Sequence, residues 1–392
     1  MSRFSSEPGT ELCGGRAARD LLCGPGAERR RCSAGPSIGN DDRGRKDPAD
    51  RPAGFWPRLL AGLCLTLALS AASSAFAQDG AKPVLTVYTY ESFVPDWGPG
   101  PKVKTAFEAE CGCELRFVGL EDGVAILNRL KLEGETTQAD VALGLTAELV
   151  PEFKKTGLFA PSNVDLSPLA IPGGFSDDVF VPFDYSYLAF VYDTQSVKTP
   201  PTSLDELVNG DPDQKIAIED PRTSTPGLGF LLWMKAVYGD QAEEKWRTLS
   251  RRILTVTPGW SEAYGLFTKG EVPIVLSYTT SPAYHQIEEG TDRYKAASFS
   301  EGHYLQVELA GRLRTSKHPE LAQRFLAFML TPAFQKLIPT GNWALPATKP
   351  AEPLPAAFET LVQPTKPLAI DAETVAAQRE TWTSEWLRAL GR

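Results

Sequence analysis

The 392-residue chain carries 40 Lys and Arg against 49 Asp and Glu, and is 42% apolar, 23% charged and 10% aromatic. That length and apolar content suit two ordinary domains with sizeable cores and exclude wholesale disorder. The acidic balance argues against a nucleic-acid partner, whose phosphates are met by clustered Lys and Arg.

Residues 1–54 are rich in Arg, Gly and Pro and read either as a disordered extension or as the product of a start codon placed too far upstream. Residues 55–77 read as a secretory signal peptide. The apolar run Leu59–Ala72 follows Arg58 and leads to Ala75-Phe76-Ala77, with cleavage expected after Ala77. The run is shorter than the roughly 20 apolar residues of a membrane span. A lipoprotein box would need Cys directly after Leu60-Ala61-Gly62, and Leu63 stands there. A soluble periplasmic protein is therefore expected. Removing residues 1–77 takes away 11 of the 40 basic and 8 of the 49 acidic residues, leaving a charge of −12 that would suit a cationic ligand.

Beyond residue 77 only Cys111 and Cys113 remain, as Cys-Gly-Cys. One intervening residue gives a tight ring if bridged, and the spacing leaves bridged and free forms open. Zinc sites take four ligands at wider spacings, and His285, His303 and His318 show no metal pattern, so no metal is expected.

From Lys82 onward, short β-rich runs alternate with amphipathic helical stretches, the pattern of an α/β fold. Strands are predicted at Leu85–Tyr90, Glu114–Leu120, Ala139–Leu145, Lys215–Glu219, Ile253–Thr257 and Pro273–Thr279. Helices are predicted at Pro101–Glu110, Val124–Glu133, Leu228–Tyr238, Ser261–Lys269, Leu321–Met329 and Asp371–Leu390, the last burying Trp382 and Trp386 on one face. Two longer mixed runs, Phe180–Asp193 and His303–Thr315, read as hinge strands. They would divide the chain into one lobe of residues 82–183 plus 303–392 and a second of residues 184–302.

Open α/β sheets bind ligands beyond the carboxyl ends of their strands, where loops and helix N-termini converge. The strand-to-helix junctions here carry Tyr90 and Trp97, Asp122 and Gly123, Ser224 and Thr225, Trp260, and the run Tyr278, Thr279, Thr280, Ser281 with Tyr284 close behind. Each has an ordinary structural reading: Asp122 and Ser224 or Thr225 as helix N-caps, Trp97 as a cover on the core. Hydroxyls at a helix start also make an anion site, and several rings at one mouth suit a flat ligand. Stacking and cation–π contact add about 0.5–2 kcal/mol per well-placed ring, with Asp122 as the opposing charge. The residues point to a planar cation, with a phosphate as a possible addition.

At these positions the segments LTVYTYESF, DWGPGP, CELRFVGLEDGV, FVPFDY, DPRTSTPGLG, GWSEAYGLF, VLSYTTSPAYH, EGHYLQVE and IPTGNWALP occur in order. In them the chain resembles the thiamine-binding family of type II periplasmic solute-binding proteins, from Lys82 to about Pro346. The resemblance implies a two-lobed α/β fold with two hinge crossovers, and a ligand, thiamine or its mono- or diphosphate, held between the lobes. It implies contacts from Asp122, Gly123, Ser224, Thr225, Trp260, Tyr278, Thr279, Thr280 and Ser281, with Tyr90, Trp97, Tyr284 and Trp343 completing an aromatic set. It further implies a monomer without catalysis or cofactor, partnered by a thiamine ABC permease and its ATPase at the inner membrane.

An enzyme reading, with a Cys nucleophile cleaving thiamine, meets the difficulty that Cys111 and Cys113 precede strand Glu114–Leu120 at the end remote from its carboxyl terminus. Other ligands for the same fold would be ferric ion, a polyamine or an organophosphate. Ferric sites want paired tyrosines with carboxylates or histidine and polyamine sites several carboxylates along a channel, and the indole-rich set suits neither as well.

Overall fold

The structure, a computed structural model, describes residues 82–364 and 366–391. The signal peptide and the extension before it lie outside the described residues. No helix among the described residues is long and apolar enough to cross a membrane.

The first half of the fold alternates strongly. Strand β1 (Val84–Tyr90) leads to helix α1 (Gly100–Cys111), β2 (Glu114–Leu120) to α2 (Gly123–Glu133), and β3 (Val141–Thr146) to the short α3 (Val150–Lys155). Strand β1 pairs in parallel with β2 and with β3. All six residues of β3 are buried, as expected of a central parallel strand. The predicted strands and helices match these bounds to within two residues.

Cys111 and Cys113 are joined by a disulfide. The turn it closes is possible because Gly112, which caps α1, adopts φ +65°. The bridge sits before β2, away from the carboxyl end of that strand.

Strand β4 (Phe180–Asp193) has the predicted bounds and carries the chain across to the second half. There follow α4 (Leu204–Asn209), β5 (Ile216–Glu219), α5 (Thr225–Tyr238), α6 (Ala242–Leu249), β6 (Ile253–Thr257), α7 (Trp260–Thr268), β7 (Ile274–Tyr278), α8 (Pro282–Glu288) and β8 (Tyr294–Ala296). Strand β9 (His303–Arg312) returns the chain, followed by α9 (Pro319–Phe328), α10 (Pro332–Gln335), β10 (Leu345–Pro346), β11 (Pro367–Leu368) and α11 (Ala372–Leu390). The reading of residues 303–315 as a second crossover strand ends three residues early, at Arg312.

The main strand order is β2-β1-β3-β9-β4-β7-β5-β6. The first part of β4 pairs antiparallel with β9, and Leu188–Tyr192 then pair antiparallel with β7. One strand is thus shared by two sheet regions, each otherwise built on parallel β–α units. That is the two-lobed α/β arrangement with two crossovers that the sequence predicts.

Helix α11 packs against α3 and against α5 and α6, so it touches elements on both sides of the crossovers and is not confined to the first lobe. Arg379 makes two hydrogen bonds of 2.7 and 2.8 Å to Glu152, Arg388 reaches Glu243 at 3.0 Å, and Lys235 pairs with Glu385. Trp386 is 1% exposed and meets Trp246 of α6 edge-on at 6.4 Å between ring centroids.

The β3–β9 register slips between Leu143 and Leu145, and Gly144 at the slip has φ +94°. A Cβ there would lie 2.3 Å from a ring carbon of Tyr90. Gly144→Ala therefore has both a backbone and a steric penalty. It is expected to lose roughly 2–3 kcal/mol of stability and to displace Tyr90. A thermal unfolding midpoint unchanged from wild type would refute that.

Candidate functional site

Two helix N-termini meet across the crossovers. Asp122 caps α2 in an extended conformation, its carboxylate accepting from its own helix at Gly123 N (2.7 Å). Its second oxygen accepts from Ser224 Oγ at 2.9 Å, and Ser224 is the cap of α5. Beside this clasp, Ala125 N donates to Thr223 O at 2.9 Å. Asp122 is 6% exposed. Burial pushes its carboxyl above the usual range, opposed by the hydrogen bonds from Gly123 N and Ser224. Glu219, at the end of β5, is buried nearby with no hydrogen-bond partner for either oxygen among the described residues, and burial followed by the Asp122 charge drives its carboxyl well up.

Above this floor lies a cleft of about 380 Å³, within the ordinary size of a small-molecule site. Trp260, the first residue of α7, donates from its indole nitrogen to Ser277 Oγ at 2.9 Å, and Ser277 is 2.7 Å from Ser281 Oγ. Its ring stacks on Tyr264 at 4.7 Å. Tyr264 is braced in turn: its hydroxyl is 2.9 Å from His285 Nε2, and His285 Nδ1 is 2.7 Å from Glu289. Tyr284 meets Trp343 edge-on at 5.3 Å. Trp343 adopts φ +53°, an unusual conformation for a bulky residue that fixes where its ring stands.

The fourth wall comes from the two crossover strands. Asp184 of β4 and Glu308 of β9 are direct cross-strand partners. Asn342 Nδ2 donates to Asp184 at 2.5 Å, the Tyr90 hydroxyl is 2.9 Å from Glu308, and Gln306 Nε2 donates to the Tyr278 hydroxyl at 3.1 Å. Burial lifts the Asp184 carboxyl to about 7. Burial and then the Asp184 charge lift that of Glu308 well above the usual range.

Of the residues predicted from the sequence, Tyr90, Trp97, Asp122, Trp260, Tyr278, Ser281, Tyr284 and Trp343 line this one cleft, with Trp97 52% exposed at its mouth. Gly123, Ser224, Thr225, Thr279 and Thr280 do not line it. They are buried behind Asp122 and Tyr278, and the hydroxyls of Thr225 and Thr280 have no partner among the described residues. Asp184, Glu308, Gln306, Tyr264, Glu121 and Asn342 line the cleft without having been singled out. A signal for the first two was present: each is an acid inside a strand that is otherwise almost wholly buried. Among the described residues no three His, Cys, Asp or Glu side chains are placed to hold a metal.

The model of the bacterial extracellular solute-binding proteins matches residues 89–336, more than half of the chain and all of the cleft except Trp343 and its neighbours. The chain belongs to this family. This solute-binding protein is 58% identical over 328 residues to a protein of Brucella abortus named thiamine-binding periplasmic protein, covering 84% of this chain and 98% of the relative. It is likewise 58% identical over 329 residues to the Escherichia coli K12 protein of the same name, covering 84% and 99%. A solved structure of a periplasmic thiamin binding protein superposes with a TM-score of 0.78 at 60% identity, over 79% of this chain and 97% of that one. The solute-binding protein is periplasmic and is a binding protein rather than an enzyme. In keeping with that, the disulfide-bonded Cys111 and Cys113 line no part of the cleft.

Proposed function

We propose that the cleft binds thiamine and its mono- and diphosphate, and that the loaded protein delivers them to an ABC permease and its ATPase in the inner membrane. The observation that carries this reading is one cleft that combines aromatic rings, Tyr90, Trp260, Tyr278, Tyr284 and Trp343, with the buried acids Asp122 and Asp184 and the partly buried Glu308. A flat, positively charged molecule is the ligand class that uses both, through ring stacking and charge. The names of the relatives point to the same vitamin. The protein acts without a cofactor of its own and as a monomer.

Phosphorylated forms would extend toward the starts of α2 and α5. Gly123, Ser224, Thr225, Thr279 and Thr280 are within the layer behind Asp122 there, and they would engage a phosphate only if Asp122 and its neighbours yielded to it.

Calorimetry with thiamine, thiamine monophosphate and thiamine diphosphate tests the reading. Saturable heat with thiamine is expected, and no heat with any of the three would overturn it. Comparing the three affinities ranks the phosphorylation states.

A further inference from the structure

The two crossover strands place two acids where sheet chemistry disfavours them. Asp184 and Glu308 stand directly opposite each other in an antiparallel pair, the geometry in which like charges repel most. Asp184 is 1% exposed, and Glu308 keeps only partial exposure toward the cleft. The groups around them are Asn342 against Asp184, and Tyr90, Gln306, Tyr278 and Asp122 around Glu308. Among the described residues no Lys, Arg or His is hydrogen-bonded or ion-paired with either acid. The only charge added by these neighbours is the further negative charge of Asp122. The amide of Asn342 and the hydroxyl of Tyr90 supply too little to hold a buried and a partly buried carboxylate ionised side by side.

We propose that Asp184 and Glu308 share one proton in the ligand-free protein and surrender it to solvent when a cationic ligand enters the cleft, so that capture is coupled to proton release. The proposal rests on the thiamine reading for the identity of the cation. In the exchange one carboxylic O–H bond breaks, its proton passes to the buffer, and the pair becomes doubly ionised against the positive charge of the ligand. The upward displacement of both carboxyls by burial is in the direction this requires.

The sign of the pH dependence follows. Below neutrality the proton must be displaced and binding is weakened. As pH rises through the range in which the pair loses its last proton, the protein gives up that proton unaided and affinity climbs toward a plateau. The consequence for transport is selection for charge: a neutral ring of the same shape has nothing to exchange for the proton.

Two measurements on the intact periplasmic protein test this. Infrared difference spectroscopy of the ligand-free protein at pH 7, wild type against Glu308→Gln, should show the carbonyl stretch of a protonated carboxylic acid in the wild type. Addition of thiamine should remove that band. Calorimetry with thiamine in two buffers of different ionisation enthalpy should give release of about one proton at pH 7 and fewer at pH 9. Affinity should tighten between pH 6 and 8 by up to about tenfold per unit.

In Glu308→Gln, affinity at pH 8 should fall about 10- to 100-fold, with the proton release abolished. Asp184→Asn serves as the second variant should that one fold poorly. Absence of the carbonyl band, or thiamine binding with no proton released, overturns the proposal. A band present with no thiamine heat at any pH sinks the ligand reading and the release step together, leaving the shared proton standing.

Discussion

Trp260→Ala should weaken thiamine binding by about 30- to 1,000-fold, the 2–4 kcal/mol range of a central aromatic anchor. One face of the indole is taken by Tyr264, and its nitrogen is spent on Ser277, so the ring is held rigidly at the cleft wall. Little entropy is then lost when a ligand stacks on it. Trp260→Phe should fall between wild type and the alanine variant, because it keeps an aromatic face but loses the hydrogen bond to Ser277. Titration calorimetry measures both. The folded state of the variants is checked by their unfolding midpoints, since Trp260 also packs on the Tyr264–His285–Glu289 chain. A less than threefold loss in Trp260→Ala would remove the stacking wall from the account of this site.

The second large effect concerns stability. Trp386→Ala deletes a fully buried indole on α11 that meets Trp246. The cavity and the lost contacts should cost about 3–5 kcal/mol. For a folded region of this size that corresponds to a drop of roughly 10 °C in the unfolding midpoint. No residue of α11 lines the cleft, so affinity measured well below that midpoint should change by less than about threefold. If binding were lost while stability held, α11 would be acting on the cleft rather than on the packing of α3, α5 and α6 that it joins.

These two tryptophans were legible in different ways. Trp386 was recognisable from its helical spacing with Trp382, yet the prediction that both are buried held fully only for Trp386. Trp382 is partly exposed, and its ring lies 5.6 Å from the Lys235 ammonium. Spacing tells which residues share a helix face, whereas burial depends on how far the neighbouring helices extend over that face. Trp260 was recognisable because it begins a helix directly after a strand, a position the chain order alone defines.

Several features of the cleft were accessible in the same way. Tyr90, Asp122 and Tyr278 each stand at or just past the carboxyl end of a strand, and such ends converge in α/β sheets whatever the details of packing. The hydroxyls of Ser224, Thr225 and Thr280 also stand at such junctions. The sequence offered Ser224 or Thr225 as a helix cap, and Ser224 is the one that caps α5. What the sequence could not supply was the occupant facing that cap: Asp122, which stands 102 positions earlier.

Asp184 and Glu308 mark the limit more sharply. Each lies inside a run of strand residues, and alternation says which side of the sheet a residue faces but not which residue of another strand it meets. That depends on the register between β4 and β9, which a one-residue slip would change. The Tyr264–His285–Glu289 chain depends likewise on α7 packing beside α8.

The sequence by itself determined the alternation of strands and helices, the two crossovers, and the junction residues that face the cleft, because these follow from local periodicity and chain order. The tertiary structure alone decided that a buried and a partly buried acid stand opposite each other at its wall and that Asp122 clasps the start of α5. Those contacts join residues more than a hundred positions apart, and their energies arise only once strand register and helix packing have brought the groups out of water together.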